Sequence, residues 1–234
     1  MKQQISRHIP NALTCANLLC GCVGIIEVFH SNILLSCGLI VLAAVFDFLD
    51  GFVARLLKVT SAIGKELDSL ADVVTFGVLP AFIVYQLLLE SIPDLSGIGT
   101  AYFALFIAIF SALRLAKFNT DPRQHDTFIG VPTPANALLI ASLPLIVRFH
   151  PEWAPYIVNT THLLLFTALM SYLLVAELPL FAFKFKTFRF EGNEVRYIFL
   201  GVSLVALALL DVRAMPLLVS LYVLFSFYLA RFRK

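Results

Sequence analysis

Residues 33–56 read ILLSCGLIVLAAVFDFLDGFVARL, and this stretch decides the fold. Positions 33–46 carry no charge, after which Asp47, Asp50 and Arg55 follow within the same apolar run. A helix needs roughly 20 mainly apolar residues to cross a hydrocarbon core of about 30 Å, and this run has that length. Comparable runs lie at about 10–29, 68–90, 98–117, 133–149, 156–181, 196–211 and 214–230. The expectation is an all-α integral membrane protein, a bundle of about eight transmembrane helices.

Composition agrees. Of 234 residues, 60% are hydrophobic and 14% charged, with a mean hydropathy of +0.90, well above the roughly half-apolar usage of soluble domains. Connections such as Glu90-Ser91-Ile92-Pro93-Asp94 and His150-Pro151-Glu152-Trp153 are short and contain proline, as turns between antiparallel helices do. Residues 1–234 are therefore expected to form a single membrane domain.

Lysine and arginine collect on cytoplasmic loops, which tests the helix count. With the N-terminus inside and eight spans, all 17 Lys and Arg except Arg148 and Arg213 fall on the cytoplasmic side. One false span would scatter them. Both termini are thus expected in the cytoplasm of a multi-pass cell (inner) membrane protein. The basic face suits anionic headgroups and phosphates, and no nucleic-acid signature accompanies it.

The first run is too long for a signal-peptide core and is expected to be a mature helix. Cys15, Cys20, Cys22 and Cys37 all lie in apolar spans, where packing is the expectation rather than a disulfide framework.

Asp47 and Asp50, three residues apart, share a face near the cytoplasmic end of the second run; Asp68 and Asp72, four apart, do so at the start of the third. The intervening loop is short, so an antiparallel hairpin brings four carboxylates together. Protons or divalent cations must neutralise such a group, and clustered carboxylate oxygens are hard ligands suited to Mg²⁺ or Mn²⁺, with Ca²⁺ as a further bound ion. The alternative is helix caps and partners for Arg55, Lys58 and Lys65. An ionised side chain within an apolar helix costs on the order of 3 kcal/mol or more, however, and groups retained at that cost mark a site. Gly51 and Ala54 leave a small-residue groove beside the acids, suited to close helix packing or to a nucleobase or diphosphate.

Written with gaps, residues 47–72 read D-x2-D-G-x2-A-R-x8-G-x3-D-x3-D. This resembles the signature of the CDP-alcohol phosphotransferase family at every defined position. The resemblance implies transfer of a phosphatidyl group from a CDP-linked lipid to an alcohol, with release of CMP. Asp47, Asp50 and Asp68 match the family's metal ligands, and Asp72 its general base and a further ligand. Gly51, Ala54, Arg55 and Gly64 match its nucleotide-binding residues. The spacing alone does not say which Asp is the base.

Ile9-Pro10-Asn11-Ala12-Leu13-Thr14-Cys15-Ala16-Asn17-Leu18, Arg114-Leu115-Ala116-Lys117-Phe118-Asn119 and Phe128-Ile129-Gly130-Val131-Pro132-Thr133-Pro134-Ala135 are similar to segments of that family's phosphatidylserine synthase branch. The family-like core thus covers about 9–137, leaving the helices of 156–230 without a motif. CDP-diacylglycerol and L-serine are the substrates so implied, with membrane lipids as surroundings and a homodimer as the assembly. Thr14 and Asn17 join the CDP-lipid set, against the alternative of a cap and a helix contact. Arg114 and Lys117, with Arg123 in the same cytoplasmic connection, are expected to meet the substrate phosphate or the serine carboxylate, against the alternative of positive-inside topology alone.

Other acceptors remain open, among them glycerol 3-phosphate, inositol phosphate and amino alcohols, as does an archaeal-type ether-lipid donor. A cation- or proton-coupled transporter is the alternative from another class, and a non-catalytic scaffold a third; the fixed motif spacing and the lack of comparable mid-membrane acids in other spans oppose the transporter. Glu27, Asp211, His162 and Glu177 are expected to snorkel or pair within the bundle.

Overall fold

The computed structural model describes residues 2–59, 61–93, 97–121, 128–180 and 194–232. Arg123, Lys184, Lys186, Arg189, Arg233 and Lys234, all placed on the cytoplasmic side by the sequence, lie outside the described residues.

α1 (Lys2–Phe29) and α2 (Ile33–Leu57) form a hairpin. Ser31 enters the left-handed region at φ 61° to make the turn, and the Ser36 hydroxyl donates to Gly24 O at 2.8 Å, tying the two helices together. At the far end α2 stops where Lys58 becomes left-handed, at φ 53°. Ser61 then caps α3 (Ala62–Val73), its Oγ accepting the Gly64 N–H at 2.8 Å. Hydropathy had set the start of this span near residue 68. The cap moves it upstream, because Lys65 and Glu66 make the first turns too polar to register as apolar.

α3 continues through one wide π turn, Val74–Val78, into α4 (Leu79–Ser91). Here the Leu79 N–H bonds to Val74 O, five residues back. Pro80 follows directly, and its ring would collide with the carbonyl four residues earlier in a regular helix; the widened turn accommodates it. Ala62–Ser91 is the most deeply buried of the long apolar helices. Phe76, Leu79, Ile83 and Leu88 are fully buried in the main core, with Ile107 and Ile140 from neighbouring helices. A Cβ at Gly21 of α1 would collide with the Thr75 side chain, and one at Gly77 would lie 2.9 Å from Ser111 Cβ. Small residues thus let α1, the π turn and the next span approach closely.

That next span joins α5 (Ile98–Ala101), a 3-10 turn and α6 (Phe106–Thr120). β1 (Phe128–Ile129) precedes α7 (Thr133–Phe149), α8 (Ala154–Ile157) and α9 (Thr160–Val175). α9 bends by 71° from the Pro151–Ile157 segment before it, and the Asn159 side chain accepts the His162 N–H at 3.1 Å to cap it. β2 (Pro179–Leu180) pairs antiparallel with β1, Phe128 opposite Leu180 and Ile129 opposite Pro179. α10 (Glu194–Leu210), a 3-10 turn at Asp211–Arg213 and α11 (Ala214–Phe232) complete the described chain. Apart from the two-residue pairing, the described residues form helices and the turns between them.

Eight apolar runs were expected; length and composition alone admit five membrane-capable helices, or six if the bent Pro151–Ile157 and Thr160–Val175 pair is one. The difference has two sources. Thr133–Phe149 has 17 residues, short of a full crossing. Tyr197–Ser226 passes as one apolar stretch because α10, the 3-10 turn at Asp211–Arg213 and α11 follow one another without a gap. It is nonetheless folded back on itself. A straight helix would separate Phe199 and Tyr222 by roughly 35 Å at about 1.5 Å per residue, whereas their ring centroids lie 5.9 Å apart. The reversal falls at Asp211, with φ 51°.

The four cysteines are unpaired, Cys20 and Cys37 buried and Cys15 and Cys22 exposed. Glu27 accepts from Asn32 Nδ2 at 2.9 Å, and His162 Nδ1 lies 2.9 Å from Tyr156 O.

Candidate active site

The site forms where α1, α2 and α3 meet. Carboxylate oxygens of Asp47, Asp50 and Asp68 all lie within 4.8 Å of one another. Two unit charges at that separation repel by roughly 3 kcal/mol at an effective dielectric near 20. Three such pairs demand a counter-charge. Asp68 Oδ1 is buried and has no hydrogen-bond partner among the described residues, and a buried polar atom ordinarily has one. An oxygen-only donor set with an orphaned buried oxygen fits a hard divalent cation. Asp72 stands outside this group of three.

α1 supplies the supports. Thr14 Oγ1 donates to Asp50 Oδ2 at 2.7 Å, and Asn17 Nδ2 donates to Asp72 Oδ1 at 3.1 Å. Thr75 Oγ1 in turn donates to Asn17 O at 3.1 Å, holding that part of α1 against the π turn. Thr14 and Asn17 are both buried, as are Asp50 and Asp72. Each contact joins residues distant in sequence, so α1 fixes the carboxylates of both α2 and α3.

Beside the carboxylates opens a cavity of about 520 Å³, whose lining includes Thr14, Asp50, Gly51, Ala54, Gly64 and Asp68. A Cβ at Gly51 would meet only Arg55 Nη1, at 3.4 Å, so the wall there is open. Arg55 itself is exposed and does not line the cavity. Asn11, Ser61 and Lys65 line it and were not singled out from the sequence. The signal for Asn11 was available: Asn11, Thr14 and Asn17 recur every third residue in the otherwise apolar stretch 9–26 of α1.

Arg114 and Lys117 line a second cavity, of about 260 Å³, with Thr120, Asp121, Leu174 and Glu177. Arg114 is only 6% exposed, its guanidinium carbon sits 5.5 Å from the Phe118 ring centroid, and its Nε has no acceptor among the described residues. It interacts electrostatically with Asp72 and with Tyr222 of α11. Asn119 Nδ2 donates to Ser69 Oγ at 2.7 Å, fastening α6 to the helix that carries Asp68 and Asp72. Tyr222 was missed in the sequence because it sits in an apolar helix with no motif.

A three-helix junction that gathers three of this signature's aspartates beside one cavity defines a class, and the sequence profile of the CDP-alcohol phosphatidyltransferase family matches residues 7–183. The chain belongs to that family. It is 34% identical over 220 residues to a CDP-diacylglycerol–serine O-phosphatidyltransferase of Helicobacter pylori, covering 93% of this chain and 88% of the relative. A Bacillus subtilis protein of the same name is 33% identical over 177 residues, covering 76% and 92%. One from Methanocaldococcus jannaschii is 34% identical over 162 residues, covering 69% and 70%. The profile extends beyond the expected core of 9–137, through α9 and β2.

Proposed function

We propose that the protein transfers the phosphatidyl group of CDP-diacylglycerol to L-serine, giving phosphatidylserine and CMP, with Mg²⁺ or Mn²⁺ held by Asp47, Asp50 and Asp68. The observation that carries this is the convergence of those three carboxylates beside the cavity lined by Thr14, Gly51, Ala54 and Gly64. Serine as acceptor is supported by the names of the relatives and by the segments at 9–18 and 114–135.

In this reading the cavity receives the CDP moiety, the missing side chains at Gly51 and Gly64 leaving room for it. When bound, the metal offsets charge on the diphosphate and on the departing CMP. Asn17 engages Asp72 Oδ1 and orients the carboxylate, whose other oxygen takes the proton of the serine hydroxyl. The serine oxygen bonds to the phosphorus of the phosphatidyl group, the bond from that phosphorus to the CMP oxygen breaks, and CMP leaves. Arg114 and Lys117 meet the serine carboxylate.

Purified protein supplied with CDP-diacylglycerol, Mg²⁺ or Mn²⁺ and a panel of alcohols will release CMP fastest with L-serine. Faster release with glycerol 3-phosphate or inositol 1-phosphate at equal concentration refutes serine as the acceptor. Arg114→Ala or Lys117→Ala will chiefly raise the apparent KM for serine, with donor binding less affected.

The same reading takes residues 1–234 as one membrane domain, assembled as a homodimer, with eight crossings, both termini cytoplasmic and the site facing the cytoplasm. Arg55, Lys58, Lys65, Arg114 and Lys117 gather at the carboxylate end, while Arg148 and Arg213 end other helices. In a background with the four native cysteines replaced, single cysteines at 58–65 should label from the cytoplasmic side and those at 150–154 from outside. External labelling within 58–65 overturns this orientation.

A further inference from the structure

We propose that a cavity at the end of the bundle opposite the carboxylates is a site for the headgroup of a membrane phospholipid that carries both a phosphate and a primary ammonium group. Arg148 meets the phosphate and Glu90 the ammonium group.

The cavity, of about 470 Å³, opens where the α1–α2 turn meets the ends of α4 and α7. That volume falls within the roughly 300–1,000 Å³ of small-molecule sites. Leu34 of α2 lines it, and Asp50 follows 16 residues later on the same helix. At about 1.5 Å per residue the two sites are roughly 24 Å apart. The walls are tied down. The Asn32 N–H bonds to Glu27 O at 2.8 Å and closes the α1–α2 turn, while Ser91 Oγ lies 2.9 Å from Thr160 Oγ1 and holds the end of α4 against α9.

The charge pattern selects the ligand. Glu90 and Arg148 both line the cavity, yet they form no ion pair with each other, and Arg148 has no ion-pair partner among the described residues. Glu90 receives the Gln86 amide on Oε1 at 3.5 Å, which leaves Oε2 for a ligand. Two opposite charges held apart on one cavity are bridged by a molecule that carries both signs. A purely anionic headgroup gains nothing from Glu90, and a quaternary ammonium group has no N–H to donate to it.

Depth selects a lipid over a soluble zwitterion. Trp153 and Tyr156, both exposed and with ring centroids 6.3 Å apart, follow Pro151 of the cavity wall. Exposed Trp and Tyr at the ends of membrane helices mark the headgroup level. Leu34, Leu87, Pro144 and Val147 form the apolar part of the wall, suited to the glycerol and the first acyl carbons.

The chain has one tryptophan, Trp153, so its fluorescence reports on this end of the bundle. The purified full-length protein is placed in nanodiscs of unlabelled phosphatidylcholine, and phosphatidylethanolamine, phosphatidylglycerol or phosphatidylcholine with brominated, tryptophan-quenching acyl chains is added in increasing fraction. Phosphatidylethanolamine should quench Trp153 at a mole fraction about tenfold lower than the other two, because it alone offers charge-assisted hydrogen bonds to both Arg148 and Glu90. Arg148→Gln and Glu90→Gln change exposed residues; each should abolish the preference and leave thermal unfolding in detergent at the parent's temperature. Arg148→Lys, which keeps the charge, should retain most of it. Equal quenching by the three lipids in the unaltered protein, or a preference that survives in both glutamine variants, overturns the proposal. Thermal protection by free O-phosphoethanolamine, with no preference among the lipids, shows a site for a soluble ligand and overturns it as well. Binding alone is read, so the outcome stands apart from the choice of acceptor.

Discussion

Asp47→Asn, Asp50→Asn and Asp68→Asn should each lower CMP release by about 10² to 10³ or more, since a metal-supported transition state is stabilised by several kcal/mol. Each substitution removes a charge at nearly constant volume, so loss of packing does not explain loss of turnover. Stability should move differently. The three carboxylates lie within 4.8 Å of one another, and any pair left ionised repels by roughly 3 kcal/mol when no cation is bound. Metal-free variants should therefore unfold in detergent no earlier than the metal-free parent. Added divalent ion should protect the parent more than any variant, because a ligand that binds only the folded state stabilises it. Wild-type turnover in all three variants at limiting Mg²⁺ or Mn²⁺ would sink the ligand assignment.

Asp72→Asn should separate binding from chemistry. Asp72 lies outside the group of three, so the cation and the CDP-lipid are held as before. An asparagine can still accept the Asn17 N–H that now reaches Oδ1 at 3.1 Å, which preserves the local geometry. What it lacks is a basic oxygen for the hydroxyl proton. Proton transfer to a positioned base is worth about 10² to 10⁴ in rate. CDP-diacylglycerol should therefore bind the variant within a few-fold of the parent while CMP release falls by that factor. Normal turnover would remove Asp72 from the role of base. Lost donor binding would instead make it part of the CDP-lipid site.

The aspartates were legible because they break an apolar background at helical spacing, and a short loop between two long runs leaves few ways to fold. Fixed separations along one chain segment are what a sequence records well. Contacts between distant segments are not. Arg114 interacts with Tyr222 across more than a hundred residues, and a tyrosine in an apolar helix carries no mark of that. Glu177 read as a snorkelling residue within a span; it lies just past the end of α9, where the chain has already left the helix to pair β2 with β1. The hairpin of α10 and α11 was readable as two runs because Asp211 and Arg213 interrupt the hydropathy at the turn where the chain reverses.

The wide turn at Val74–Val78 is in effect one residue spliced into a helix that otherwise runs from Ala62 to Ser91. One inserted residue rotates everything beyond it by about 100° relative to what precedes it, given 3.6 residues per turn. Asp68 and Asp72 lie on one side of the splice, and Leu79, Ile83 and Leu88 on the other. The two halves of this helix therefore keep separate phases. Mutational drift in the buried half is decoupled from the aim of the carboxylates, whereas deletion of a single residue between positions 74 and 78 would restore one phase and force the site and the core to compete for it.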